Sequence, residues 1–420
     1  MESNTKKDVV DLSKSINGHS FTNKWLLDSL RTHDKTFIKL HGNRSVKDII
    51  ATNISEGLGF VSYVYRCNIT FTDAKNDQDF YSTVLKVPTL KELERVQGEL
   101  EEGYAKQITE VHECECLFYN NFAKILDVPM PKVFKMVEYI HDKQEGCIHM
   151  EDISRQGKCI SHFENVNLTK IKSFIRNLAH MHKNILCVKD LEWRGKHLKN
   201  ATLFGDFVES VDMFIDNFLN KCKREEIFRP LVKKYRKFTL NKDYFHYANV
   251  QAHKDLNMPS VLVHGDMFAG NIMWRKDEKG DIQNEVAAFI DWQVIHEGSP
   301  MSDLSCFLTL CADGVVRRQA EQFAIQYYYD CLVKEFGDAS LVPYTVENLQ
   351  TCYDYLFMSH AFHTMGLTEF MIKALKEPNQ TLKDAYYDFS VLKALHAWED
   401  ADKLLSGKYK HIYEKYGQQK

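Results

Sequence analysis

The segment VLVHGDMFAGNIMW, residues 261–274, drives an apolar run into an isolated carboxylate, Asp266, and sets an amide, Asn271, five positions on. Apolar residues then resume. A carboxylate held in a loop between apolar anchors can accept the proton of an attacking hydroxyl. An amide oxygen offers a neutral ligand to Mg²⁺, a hard cation that takes oxygen ligands. A second buried-looking run, VAAFIDWQ, ends on another carboxylate, Asp291, which could bridge such a cation to phosphate oxygens. Between the two runs, RKDEKGDIQNE reads as a polar hairpin turning at Gly280.

The Asp-to-Asn spacing is that of the H-R-D…N catalytic loop of protein kinases. Residues suited to a nucleotide lie upstream in the chain. SEGLGFVSYVY puts Ser55, Gly57 and Gly59 just before a strand, where glycines let backbone N–H groups come close to phosphate. In VLKVP, Lys86 alternates against Leu85 and Val87, so it points to the side of Val84 and could reach α- and β-phosphates. On the helical segment that follows, Glu115 in HECECLFYN is the candidate to hold that lysine, and spacing alone does not separate it from Glu113. IHMEDI, residues 148–153, reads as a hinge where backbone groups of Glu151 or Ile153 could meet an adenine.

These residues need elements to position them. Residues 1–20 are polar and expected to be loose, and FTNKWLLDSLRTHDKTF reads as a short helix. From Val46 to Glu151 the pattern is strand, strand, strand, helix, strand, strand. VSYVYRCNITF places Val61, Tyr63, Tyr65, Cys67, Ile69 and Phe71 on one face. Beyond Asp152 the pattern turns helical, with Ile171, Phe174, Ile175 and Leu178 at helical spacing. It is interrupted by 261–292, which reads as strand, loop, strand, hairpin and strand. The expected fold class is therefore α+β and bilobal. An extension over 1–45 leads into a small β-rich lobe over 46–152 and a larger α-rich lobe over 153–420. Clefts between such lobes commonly bind ligands.

Each feature also has a plainer reading. Two glycines before a strand can be only a turn, a strand lysine a solvated edge, and Glu115 a surface residue. Asp266 and Asn271 could close a loop through Asx turns, and Asp291 could cap a following helix. His264 reads as a structural residue bonding the loop backbone rather than as an acid or base. Asp303 reads as an anchor for the loop and an acid in a first helical turn. Cys114 and Cys116, two apart on a helix, point to different faces, which argues against zinc. His360 and His363 are spaced i, i+3 but have no evident acidic partner. The aromatic run YDYLFMSHAF suits either a substrate pocket or a core.

Composition narrows the class. The chain has 420 residues, 44% hydrophobic and 27% charged, with a formal net charge of −4. It lacks the basic excess that a phosphate backbone attracts, so nucleic acid is a poor candidate partner. Eleven cysteines at irregular spacing do not form a disulfide framework and suit a reduced compartment. The opening MESNTKKDVVDLSKS has no apolar signal region and no glycine after Met1, and no run approaches the ~18 apolar residues of a membrane span. The expectation is a soluble cytoplasmic protein with no membrane partner and no protein partner evident in the sequence.

HGDMFAGN, FIDWQ with GSPMSDLS behind it, LKVP, HECECLFYN and HMED run in order from 55 to 305. In this the chain resembles the kinase-like fold of aminoglycoside phosphotransferases and choline kinases. The likeness is nearest to the ecdysteroid-kinase-like (CHK-type) branch, which has nematode members. The resemblance implies transfer of phosphate from Mg·ATP to a small-molecule hydroxyl, on a steroid-like, choline-like or xenobiotic alcohol. It implies Asp266 as base, Asn271 and Asp291 as metal ligands, and Lys86 on the phosphates. Glu115 is favoured over Glu113, because it stands three residues before Phe118-Tyr119 as in the family's helix. The chain departs in its SEGLGF loop, which is not G-x-G-x-x-G. After Asp291 it reaches SPMSDLSCFL within a dozen residues and has no A-P-E, so it lacks an activation segment to hold a peptide. A pseudokinase or nucleotide-binding scaffold is the competing class, and a protein kinase the third.

Overall fold

A computed structural model describes residues 7–55, 59–98, 103–189, 193–197, 199–202 and 212–417. The chain divides into two compact units. The first is Met1–Tyr119 with Met130–Arg155, and the second is Asn120–Pro129 with Gln156–Lys420.

The first unit is built on five strands, β1 (Val46–Asn53), β2 (Ser62–Phe71), β3 (Phe80–Pro88), β4 (Val133–Val137) and β5 (Cys147–Glu151). They form one antiparallel sheet in the order β1-β2-β3-β5-β4. The alternation in β2 sorts its faces: Tyr65, Cys67, Ile69 and Phe71 enter one core, with Tyr63 packed against it. Leu85 and Val87 of β3 join the same core, whereas Val84 faces a second one with Cys116, Ile148 and Met150. Side chains alternate along a strand, so Lys86 shares the face of Val84. That face is covered by the helix Gly103–Asn121 through Cys116 and Tyr119.

Of the segment expected to be loose, residues 7–20 are described, and they are packed. Val10 and Ile16 lie in the first core with Leu26, Leu27, Leu30 and Phe37. The one helix expected near 21–37 is two, Asn23–His33 and Lys35–His41. Asp34 separates them: its carboxylate accepts the N–H groups of Thr36 and Phe37 at 2.9 and 3.1 Å, an N-cap that starts the second helix. His149 ties the first helix to the sheet, with Nδ1 2.7 Å from Ser29 Oγ and Nε2 2.8 Å from Thr83 Oγ1. Burial pushes its ring down to about 3, so it stays neutral.

The second unit is mostly helical. Its strands are β6 (Gly157–Cys159), β7 (Val261–Val263), β8 (Ile272–Lys276), β9 (Ile282–Phe289) and β10 (His296–Gly298). β6-β8-β9 form one antiparallel sheet and β7 pairs antiparallel with β10. β6 and β10 were not anticipated, because three residues are too short to show alternation. The helix Leu168–Leu186 buries Ile171, Phe174, Ile175 and Leu178, as the spacing predicts. Tyr353, Tyr355, Phe357 and Phe362 in the helix Val346–Ala374, and Trp398 in Gln380–Ser406, are all buried, so the aromatic run is core. Among the described residues no helix is long and apolar enough to cross a membrane. The eleven cysteines are all free.

Candidate functional site

In the second unit β7 delivers the chain into the loop that carries Asp266. Gly265 turns it, at φ +88°, and a Cβ there would lie 2.6 Å from the Val294 carbonyl oxygen. Only glycine meets both conditions. The backbone N–H groups of His264 and Gly265 donate to the two carboxylate oxygens of Asp303 at 2.9 and 3.0 Å. Asp303 stands in the first turn of the helix Ser302–Cys311 and is 1% exposed. Burial pushes its carboxyl up to about 6, against the opposing pull of the two N–H donors. The buried His264 ring fits the neutral form protonated on Nε2. Nε2 donates to the Ile290 carbonyl at 3.0 Å and Nδ1 accepts the Asp266 N–H at 3.3 Å. Trp292 packs on that ring with centroids 4.5 Å apart. His264 therefore serves the loop backbone.

Asn271 closes the loop. Its Nδ2 donates to the Asp266 carbonyl at 2.9 Å and to Asp266 Oδ2 at 3.0 Å. Its own carbonyl accepts the Ile290 N–H at 3.0 Å. Next to this bond Ile272 of β8 pairs with Phe289 of β9. Asp266, Asn271 and the residue before Asp291 are thus joined by consecutive hydrogen bonds. Both amide hydrogens of Asn271 are directed at Asp266, and its Oδ1 has no hydrogen-bond donor among the described residues. Asp291 follows β9 in the left-handed region, at φ +67°, where aspartate is tolerated better than most residues. The next helix begins only at Ser302, so Asp291 is not a helix cap. A neutral oxygen just before β8 and a carboxylate just after β9 are ligand types that suit a hard divalent cation.

In the first unit Lys86 Nζ lies 2.5 Å from Glu115 Oε2, and the two residues are 8% and 2% exposed. Glu113 is exposed, so the tertiary structure chooses between the two glutamates. Ser55 shapes its loop: its hydroxyl accepts the Val64 N–H at 2.7 Å and its own N–H donates to Asn53 Oδ1 at 2.9 Å. A Cβ on Gly59 would strike the Ser62 carbonyl oxygen. Gly57 lies outside the described residues. At the end of β5 the Glu151 N–H donates to the Lys132 carbonyl at 2.8 Å. Ile153 makes no backbone hydrogen bond among the described residues, and of the two hinge candidates it keeps its backbone N–H uncommitted. Asp152, which the sequence did not single out, latches this turn by accepting from Ser82, from Arg66 Nε at 3.0 Å and from the Ser154 N–H at 2.9 Å. Burial alone would raise its carboxyl, but those donors hold it below the usual carboxylate range.

The other clusters bring no ligand set together. His360 Nδ1 lies 3.0 Å from Ser305 Oγ, and burial pushes His360 and His363 down to about 3 and about 4. No group of three or more His, Cys, Asp or Glu among the described residues could hold a metal ion.

A family model described as "Uncharacterized oxidoreductase dhs-27" matches residues 41–406. The chain belongs to that family. It is 26% identical over 369 residues to the Caenorhabditis elegans protein of the same description, covering 85% of this chain and 43% of the relative. It is 26% identical over 242 residues to the "Uncharacterized kinase-like protein D1044.1" of the same organism, covering 57% of this chain and 60% of the relative. The chain thus spans about half the length of these curated relatives. Among solved structures it is similar to the ADP-bound aminoglycoside phosphotransferase APH(2'')-Ib, with 11% identity, a TM-score of 0.38, and 87% and 99% of the two chains covered. It is also similar to the streptomycin-ATP-APH(2'')-IIa ternary complex, with 14% identity, a TM-score of 0.38, and 86% and 97% covered.

Proposed function

We propose that the chain is an ATP- and Mg²⁺-dependent phosphotransferase acting on a hydroxyl of a small molecule, of the ecdysteroid-kinase-like (CHK) type. The observation that carries this is the Asp266–Asn271 pair. Asn271 directs both amide hydrogens at Asp266, at 2.9 and 3.0 Å, and its oxygen meets no donor among the described residues. A loop closed by Asx turns alone does not call for that division. Asn271 and Asp291 would hold Mg²⁺, which neutralises developing charge on transferring phosphate. Asp266 orients the acceptor hydroxyl and takes its proton. Lys86, steadied by Glu115, neutralises phosphate oxygens, and the Ile153 backbone is available to an adenine edge. Positioning and charge neutralisation supply most of the rate in such transfers.

A small-molecule acceptor fits better than a peptide, because only residues 292–301 separate Asp291 from the next helix, at Ser302. The kinase-like name of one relative agrees with this reading. The oxidoreductase name is carried by the family description and by a relative of which this chain matches 43%. A doubly wound dinucleotide fold needs parallel strands, and every strand pair among the described residues is antiparallel. The free cysteines suit a reduced, cytoplasmic setting.

The test is transfer of labelled γ-phosphate from Mg·ATP to a mixture of small alcohols, sterols and amines, with Asp266→Ala alongside. The expected result is a labelled small molecule, with the rate reduced roughly 10²–10⁴-fold in the variant. Mg·ATP binding with no transfer to any acceptor would instead leave a nucleotide-binding scaffold.

A further inference from the structure

The helix Ser302–Cys311 touches the Asp266 loop at both ends. At its first turn Asp303 holds the backbone of His264 and Gly265. At its last residue the Cys311 thiol points at the Met267 carbonyl, 3.9 Å away. The last carbonyls of a helix lack intrahelical donors and carry the negative end of its dipole. There Lys393, from the helix Gln380–Ser406, donates from Nζ to the Leu310 carbonyl at 3.0 Å.

Lys393 is 7% exposed. Its ammonium has three N–H groups, and Leu310 supplies the one hydrogen-bond acceptor they reach among the described residues. A buried ammonium so sparsely satisfied is costly, and an apolar side chain of the same length would avoid that cost. Three groups face it from neighbouring elements. They are Cys311 at the helix end, Asp313 in the turn beyond, and His162 in the loop before the helix Leu168–Leu186. The Phe389 ring lies 5.7 Å away on its own helix. Asp313 is engaged by the N–H groups of Val315 and Val316 and by Asn165 Nδ2. Burial pushes the Cys311 thiol up to about 12 and the His162 ring down to about 3, so both are neutral near pH 7.

We propose that the Lys393 ammonium is a positioning residue: by capping the helix Ser302–Cys311 it holds that helix against the 264–271 loop and so fixes Asp266. The role of Asp266 rests on the phosphotransfer reading, but the coupling itself does not. Burial also pushes the Lys393 amine down to about 8, so the cap is titratable under mild conditions.

The experiment is amide hydrogen exchange of the full chain over 261–271, with thermal unfolding in parallel, for wild type, Lys393→Met and Lys393→Arg. Lys393→Met should raise exchange in the loop about tenfold or more, the scale of one charge-assisted hydrogen bond. Its thermal midpoint should hold or rise, because a buried charge is gone. Lys393→Arg should retain protection. In wild type, exchange corrected for its intrinsic rate should rise from pH 7 to pH 9, and in Lys393→Arg it should not. Unchanged loop exchange in a folded Lys393→Met overturns the proposal. So does an identical pH response in wild type and Lys393→Arg, a comparison that stands even where the methionine variant does not fold. Absence of phosphate transfer in every protein would sink the phosphotransfer reading and leave the exchange result to decide the coupling.

Discussion

Asp303→Asn separates loop positioning from global stability. In wild type both carboxylate oxygens accept loop N–H groups, at 2.9 and 3.0 Å. Asparagine keeps one acceptor and turns an NH₂ toward the other donor, leaving a buried N–H unsatisfied at about 1–3 kcal/mol. The opposing term is similar in size. Burial raises the Asp303 carboxyl from 3.8 to about 6. A difference of about 2.2 units makes ionisation uphill by about 3 kcal/mol, a term that asparagine removes. At pH 7.5 the two nearly cancel, so the variant should unfold within about 1 kcal/mol of wild type while the loop loses its anchor. The sign with pH follows from linkage. The folded pKa lies above the unfolded one, so the native state binds the extra proton and this group's contribution is fully present below pH 4. It is lost as pH rises through 6. From pH 7.5 to pH 5 wild type should therefore gain about 1.4 kcal/mol on the variant, a relative shift in midpoint of roughly 1.5–2 °C for a chain of this length. Paired thermal melts across that range measure it, and other titrating groups are common to both proteins. A pH-independent difference, or one of the opposite sign, would refute an uphill Asp303 and with it the claim that its burial serves the loop.

Gly265→Ala combines a left-handed φ with a Cβ 2.6 Å from the Val294 oxygen, whereas Gly280→Ala at φ +89° meets nothing within 4 Å. Denaturant melts should show a loss of about 3 kcal/mol or more for the first and about 1 kcal/mol for the second; equal losses would contradict the close approach. Glu115→Ala removes the partner of a buried lysine and should destabilise by about 3–5 kcal/mol and weaken ATP binding by calorimetry, while Glu113→Ala should change neither. Burial holds His149, His162, His182 and His360 down to about 3, and His253, His296 and His363 to about 4. These rings stay neutral in the fold and take up protons near pH 6.5 when unfolded, so stability present above 6.5 should fall as pH drops below it. The slope should approach about 1.4 kcal/mol per pH unit for each ring, and calorimetric unfolding at pH 5 in two buffers of different ionisation enthalpy would show uptake of several protons.

Much of the site was legible because it lies in short, local patterns. The apolar frame around Asp266 and Asn271 marked a loop between strands, and the alternation of VLKVP put Lys86 on the face of Val84. The helical periodicity of 171–178 and the loop-anchoring role of Asp303 were readable in the same way. Other features depend on contacts that no local pattern carries. Glu113 and Glu115 are two positions apart on one helix, and which of them meets Lys86 is decided by how that helix is rotated against the sheet. The need for glycine at 265 comes from the Val294 carbonyl twenty-nine residues later, by subtraction of their numbers. β6 and β10, three residues each, exist only because β8 and β7 offer them edges. Lys393 sits in a long helix where nothing in its neighbours announces a buried charge, and its partner is a carbonyl at the end of another helix. The sequence by itself determined which residues could do chemistry and the elements that carry most of them, since periodicity and spacing are properties of neighbours. Only the tertiary structure decided which carboxylate pairs with Lys86, why the Asp266 loop needs glycine at 265 and which charges are buried, since those depend on packing between segments far apart in the chain.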